Sequence, residues 1–237
     1  MMKGPLMILL ASAVMLLQVT SLAAPLEVPH ENEILAVVQR MVSVLEKVED
    51  FTCETEVTYY KEGVEDQRWR VKFFFKKEKK FRVDFSSPYK GVSIFYRGGD
   101  EELIVRPFGF LPALRFSLSI DAAIARTPSG QRIDQTDVGY FIRFVFNNLR
   151  SIEQRENEFH EDEERITFLF WAMDYLEGKS LEKYRVFVSK KIWLPLRVER
   201  YDYEGKLIEL IIFKNHTINS HLEDTVFVSW NSISDCS

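Results

Sequence analysis

The chain has 237 residues, enough for one large β domain or two small ones, and its composition (46% hydrophobic, 14% aromatic, 28% charged) supplies ample material for a core. A formal charge of −5 excludes a general nucleic-acid binder, because neutralising phosphates needs a surplus of Lys and Arg. Phenylalanine is the outlier, at 19 copies.

The first residues read as targeting. Lys3 gives a positive start, Leu6 to Leu17 is an apolar run, and Ser21-Leu22-Ala23 has small residues where a signal peptidase reads. The run is shorter than the ~20 residues a membrane span needs. Cleavage after Ala23 is expected, leaving one soluble domain, residues 24–237, in the periplasm. An oxidising compartment permits a disulfide between Cys53 and Cys236, and equally two unpaired thiols.

Apolar residues from Ile34 to Val48 recur at helical spacing and predict an amphipathic helix over Asn32–Val48, with Asn32 as its N-cap. Phe51–Lys61 and Arg68–Lys76 then read as paired strands. Period two puts Trp69, Val71, Phe73 and Phe75 on one face, and Phe81, Val83 and Phe85 continue it beyond the turn at Lys77–Lys80. Val92–Tyr96 and Glu102–Arg106 flank Gly98-Gly99-Asp100, a strong hairpin signal. Periodicity fails from Pro107 to Arg132. A second helix is expected from Asp134 or Thr136, carrying Val138, Phe141, Ile142, Val145, Phe146 and Leu149. Four more strands follow: Arg165–Tyr175, Tyr184–Ser189, Leu196–Tyr203 and Lys206–Lys214.

Ile166–Met173 and Leu207–Phe213 are apolar on both faces, whereas a sheet with one wet face should be polar at every second residue. Both sides of these strands are therefore expected to be covered, with the two helices as the covers. The predicted fold class is α+β, mainly β: a strongly curved antiparallel sheet forming an unclosed half-barrel beneath a helical lid.

Motifs for chemistry are missing. His30, His160, His216 and His221 have no metal-ligand spacing, and there is no GxSxG, no Gly-rich phosphate loop and no CxxC. The acidic run Glu161–Glu164 reads as a solvated turn. No catalytic, cofactor-binding or metal residue can be named, so the chain is expected not to be an enzyme and to need no cofactor. A large apolar inventory without a reactive site suits a carrier, since ligand pockets are concave, mostly apolar and sparingly polar.

Four stretches carry a family resemblance: LEKVEDFTCETEV (Leu45–Val57), FFFKKEKKFRVDFSSP (Phe73–Pro88), GGDEELIVRPFG (Gly98–Gly109) and the segment Tyr201–Phe227. In this order they resemble the LolA-like superfamily of periplasmic lipoprotein and lipid carriers, whose fold is an unclosed β-barrel around an apolar cavity with a helical lid. The resemblance implies a lipid-binding surface of Leu45, Trp69, Val71, Phe73, Phe75, Phe81, Val83, Phe85, Phe141 and Val145. The lid would be formed by Phe141, Val145 and Leu118–Ala125. Leu45 falls where those carriers place a leucine that helps close the lid. Lys77 stands where they use an arginine that hydrogen-bonds lid carbonyls, which makes it a candidate lid latch, although lysine lacks arginine's rigid fork of donors. The implied function is binding and release of a lipid or acylated lipoprotein by a monomer, with a membrane-bound donor or acceptor as partner. The alternative is an envelope sensor whose docking to a signalling protein depends on lipid occupancy.

Overall fold

The computed structural model describes residues 30–228 apart from 100, 112, 136, 149–156 and 175–179. The expected signal peptide lies outside the described residues, as does Cys236. The first helix, α1 (Glu31–Leu45), buries Ile34, Val37, Val38 and Met41, the i, i+3, i+4, i+7 set that its spacing implied. It starts one residue before the expected cap Asn32, after His30 in a left-handed conformation with no side-chain cap, and it ends at Leu45 rather than Val48.

Strands β1 (Asp50–Lys61), β2 (Val64–Lys76), β3 (Lys80–Ser87), β4 (Ser93–Tyr96), β5 (Glu102–Arg106) and β6 (Phe116–Ser119) form one antiparallel meander. After the helix α2 (Val138–Asn148), β7 (Glu158–Glu161), β8 (Arg165–Met173), β9 (Leu181–Ser189), β10 (Pro195–Tyr201) and β11 (Leu207–Ile218) form a second. Antiparallel pairing of β1 with β11 fuses the two into an 11-stranded sheet, ordered β6-β5-β4-β3-β2-β1-β11-β10-β9-β8-β7. The sheet does not close, so β6 and β7 remain its edges. The chain must therefore cross from one edge to the other, and it does so over the concave face as two short 3-10 turns (Ala123–Ala125, Ile133–Gln135) followed by α2. This crossover is the cover.

Helix α1 packs against α2, which puts both helices on the same side of the sheet. His30 stacks on Phe159 of β7, and Arg40 lies 5.6 Å over Trp193 in the β9–β10 turn, so α1 spans that half. The expectation that helices cover both faces of β8 and β11 is therefore corrected. On the outer face, cationic side chains lie over the rings instead. Lys183 sits 5.8 Å from the Trp171 ring and 5.1 Å from Tyr201, and Arg197 5.3 Å from Phe187. Leu169, 3% exposed, lies in register between Glu158 and Arg185, whose ion pair spans it at 3.7 Å. The same device recurs over β2–β5, where Arg82 stands 5.3 Å over Phe74 and 5.2 Å over Phe95, and Arg106 5.6 Å over Phe95.

The α1–β1 junction is tied to the turn after β11. The Asp50 carboxylate accepts hydrogen bonds from Ser220 N (2.8 Å), Ser220 Oγ (3.0 Å) and Leu222 N (3.2 Å). Burial alone would raise its pKa, but the donors from residues 220–222 outweigh it and hold the carboxyl below the usual range. A depressed carboxylate contributes stability above its unfolded pKa and loses it as pH falls through the folded one. Asp50→Ala should thus cost about 2–3 kcal/mol at pH 7, and the gap from wild type should narrow below about pH 4. Urea denaturation at the two pH values measures this.

Candidate functional site

The inner face of the sheet is apolar because period-two alternation in each strand points the same way along the register. Phe73 faces Val83 across β2–β3, Val83 faces Ile94, and Ile94 faces Val105. At the closed end the rings are core. Phe51 lies 5.7 Å from Phe73 and 5.4 Å from Phe75, and Phe81 lies 6.1 Å from Phe73 and 5.0 Å from Tyr96. Toward the open end the packing stops and two cavities remain.

The first cavity lies between the centre of the sheet and α2. Its floor is Cys53, Thr55, Val57 and Tyr59 of β1, Trp69, Val71 and Phe73 of β2, Val83 and Phe85 of β3, and Glu209, Ile211 and Phe213 of β11. Ile133, Val138 and Phe141 roof it, with Gln131, Gln135, Asp137 and Tyr140. Its volume is only about 80 Å³. The second cavity, about 480 Å³, lies between the β2–β6 half and the Ile124–Ile133 segment. Val92, Ile94, Leu103, Val105, Phe116 and Leu118 line it with Tyr89, Pro107 and Pro128. Trp69, Phe85, Thr127 and Ile133 line both and so form the partition. The Trp69 ring meets Tyr59, Phe85 and Tyr89 edge-on at 5.8, 5.5 and 5.9 Å, and its Nε1 is buried without a hydrogen-bond partner.

Of the residues singled out from the sequence, Trp69, Val71, Phe73, Val83, Phe85 and Phe141 come together around the first cavity. Phe75, Phe81 and Val145 belong to the packed core and do not line either cavity. Leu45 packs on α2 at Gly139: a methyl group added there would stand 3.1 Å from Leu45 Cδ2. That glycine lets the two helices approach. Lys77 Nζ donates to the Glu46 carbonyl (3.3 Å) and pairs with the Glu49 carboxylate (2.5 Å), so it holds the C-terminal end of α1. Lys76 and Lys80 engage Asp224, so with Lys77 three of the four lysines of this turn pair with the chain's own acids. Of Leu118–Ala125, expected as lid, Leu118 and Ser119 end the edge strand β6, and Ala123–Ala125 is the first 3-10 turn of the crossover.

Charge enters the first cavity through Glu209 and Asp137, and Glu209 belongs to a buried cluster behind the floor. Arg200 lies 3.4 Å from Glu182 and 3.1 Å from Glu209, all at most 8% exposed, and the Tyr184 hydroxyl donates to Glu182 at 2.8 Å. Burial pushes the Glu182 carboxyl upward, against the pull of Arg200 and Tyr184. Asp137 caps α2, its carboxylate accepting from Tyr140 N at 2.8 Å, and burial raises its pKa too. The Cys53 thiol in the floor is buried, free and pushed up to about 11 by desolvation, an unreactive state. Among the described residues no three His, Cys, Asp or Glu gather as a metal site. The run Glu161–Glu164 is an exposed turn, with Asp162 accepting from the backbone of Glu164 and Arg165.

No family model matches the chain, and no curated protein is similar to it. Solved structures are. A putative outer membrane lipoprotein-sorting protein domain from Vibrio parahaemolyticus has 15% identity, covering 83% of this chain and 97% of its own, with a TM-score of 0.41. Lipoprotein LppX from Mycobacterium tuberculosis has 10% identity over 81% and 98%, with a TM-score of 0.48. A LolA superfamily protein from Nitrosomonas europaea has 12% identity over 81% and 97%, with a TM-score of 0.35. At these identities and TM-scores the likenesses carry no fold assignment, cargo or activity to this chain. The structure itself shows an unclosed 11-stranded antiparallel sheet under a helical crossover, the architecture expected from the sequence.

Proposed function

We propose that this protein is an exported carrier that takes up the acyl chain of a lipid or lipid-modified protein between sheet and crossover, and releases it without covalent chemistry. The observation that carries this reading is the second cavity: about 480 Å³, apolar on nearly every wall, and open at the rim. That volume lies within the ~300–1,000 Å³ of ligand pockets, whereas about 80 Å³ does not. Burial at ~25 cal/mol per Å² rewards each methylene without directional contacts. An acyl chain therefore needs no polar anchor in the wall. The first cavity would extend the site when Trp69 and Ile133 part, since both stand in the partition.

Native mass spectrometry after incubating the delipidated protein with phospholipids tests this. One lipid per chain is the expected result. Failure of the folded protein to take up any lipid overturns the carrier reading.

A further inference from the structure

Water-exposed apolar surface is concentrated at one place. Among the described residues, seven of the ten exposed large hydrophobics lie between Tyr89 and Ile124. Phe110 and Ile124 are each 78% exposed, and Leu111, Leu114 and Phe116 between 44% and 47%. The segment joining β5 to β6 presents most of them. The Phe108 and Phe110 rings lie 5.5 Å apart in a tilted pair, and backbone N–H groups donate from Leu111 to Phe108 O (3.3 Å) and from Leu114 to Leu111 O (3.1 Å).

This apolar surface continues into the second cavity. Tyr89, Phe116 and Ile124 line the cavity and are themselves exposed, so they form its mouth. The turn holding Tyr89 and Lys90 lies against the same segment: a Cβ on Gly91 would stand 3.2 Å from Gly109 N. The charge here also departs from the rest of the molecule. The chain carries −5, yet residues 103–120 contain Arg106 and Arg115 and no Asp or Glu. Lys90 and Arg126 are exposed near the cavity mouth; of the acids bounding this stretch in sequence, Asp121 pairs with Arg132 at 2.9 Å, while Glu101 and Glu102 are exposed at its other end.

We infer that the Phe108–Phe116 segment, with Tyr89 and Ile124, docks onto an anionic lipid bilayer, inserting its rings and leucines among the headgroups and opening the second cavity toward the membrane. The physical case is the pairing of two signals. Phe and Leu side chains at a convex tip gain by entering the acyl boundary, and basic residues at their flanks meet a negative surface potential. A bilayer that donates or receives the lipid would lie against the mouth of an acyl-sized cavity, and the basic side chains around it favour an anionic one. The inference rests on the carrier reading for its purpose, but docking is measured separately from uptake.

The experiment is vesicle flotation of the mature chain with phosphatidylethanolamine/phosphatidylglycerol vesicles and with phosphatidylcholine vesicles, beside uptake of a fluorescent phospholipid from detergent micelles. The protein should float with the anionic vesicles and release in high salt. The double variant Phe110→Ser, Leu114→Ser should lose about tenfold or more of that binding and keep its uptake from micelles. Tyr203→Ser, exposed on the other half of the sheet, should lose neither. Wild-type protein that ignores anionic vesicles overturns the inference, as does a double variant that binds them undiminished. Capture of an envelope protein through these side chains, without vesicle binding, would also overturn it and make the surface a protein interface. Vesicle binding without uptake by the wild type would uphold docking and overturn the carrier reading.

Discussion

Replacing Arg200 by methionine is expected to destabilise the protein by about 3–5 kcal/mol at pH 7.5, the largest stability effect of any single substitution proposed for this chain. Its guanidinium is held between two buried carboxylates on the inner faces of β9 and β11, Glu182 at 3.4 Å and Glu209 at 3.1 Å. Methionine fills similar space but leaves both carboxylates in a low-dielectric site without their cation. The penalty should depend on pH in a defined direction. A buried carboxyl whose folded pKa is raised binds its proton more tightly in the native state, so stability falls as pH rises from the unfolded to the folded value. Removing Arg200 takes away the cation that lowers the Glu182 pKa and so raises it further. The variant should therefore lie closer to wild type at pH 5 than at pH 8. Chemical denaturation at both values decides it, and equal penalties would mean that the carboxylates find other compensation.

That cluster was not legible in the sequence, for a physical reason. Glu182, Arg200 and Glu209 sit on three different strands, and only the register of β9, β10 and β11 brings them together: Arg200 faces Glu209 on one side and Tyr184 on the other, with Glu182 two residues from Tyr184 on the same face. The hairpins themselves were readable, because period two and Gly-containing turns are local properties. The faces of β2 and β3 were read correctly, including Trp69, Val71, Phe73, Val83 and Phe85. The floor contributed by β1 was not, since Cys53, Thr55, Val57 and Tyr59 mix small, polar and aromatic side chains. Its β11 half depends on pairing Phe51 with Ile218, a contact that no local signal marks. Strands β6 (FSLS) and β7 (EFHE) are four residues long and largely polar, below what alternation can detect.

The doubly apolar strands teach a further point. Ile166–Met173 was read as needing a helix on each side, on the assumption that apolar surface is covered by apolar surface. In the fold, the Arg185–Glu158 pair spans Leu169 and the Lys183 ammonium stands over Trp171. Long basic side chains cover rings while keeping their charges in water. Both helices are thereby available for the inner face, where α2 roofs the first cavity.

Leu118→Trp should abolish lipid uptake, with a loss of about tenfold or more in affinity, while leaving the fold nearly intact. Leu118 is half-buried on edge strand β6, faces Leu103, and lines the second cavity. An indole there projects into about 480 Å³ of apolar space rather than into packed neighbours, so its strain is small and the change in stability should stay below ~1.5 kcal/mol. The matched substitution in the first cavity is Val71→Trp. That space is about 80 Å³, so the same ring overpacks it and should cost 1–3 kcal/mol, roughly, while lipid still enters the second cavity. Titrating a fluorescent phospholipid into both variants separates the two spaces. If Val71→Trp loses uptake and Leu118→Trp keeps it, the acyl chain lies under α2, and the roof formed by Ile133, Val138 and Phe141 must lift by the width of a chain for every molecule that enters.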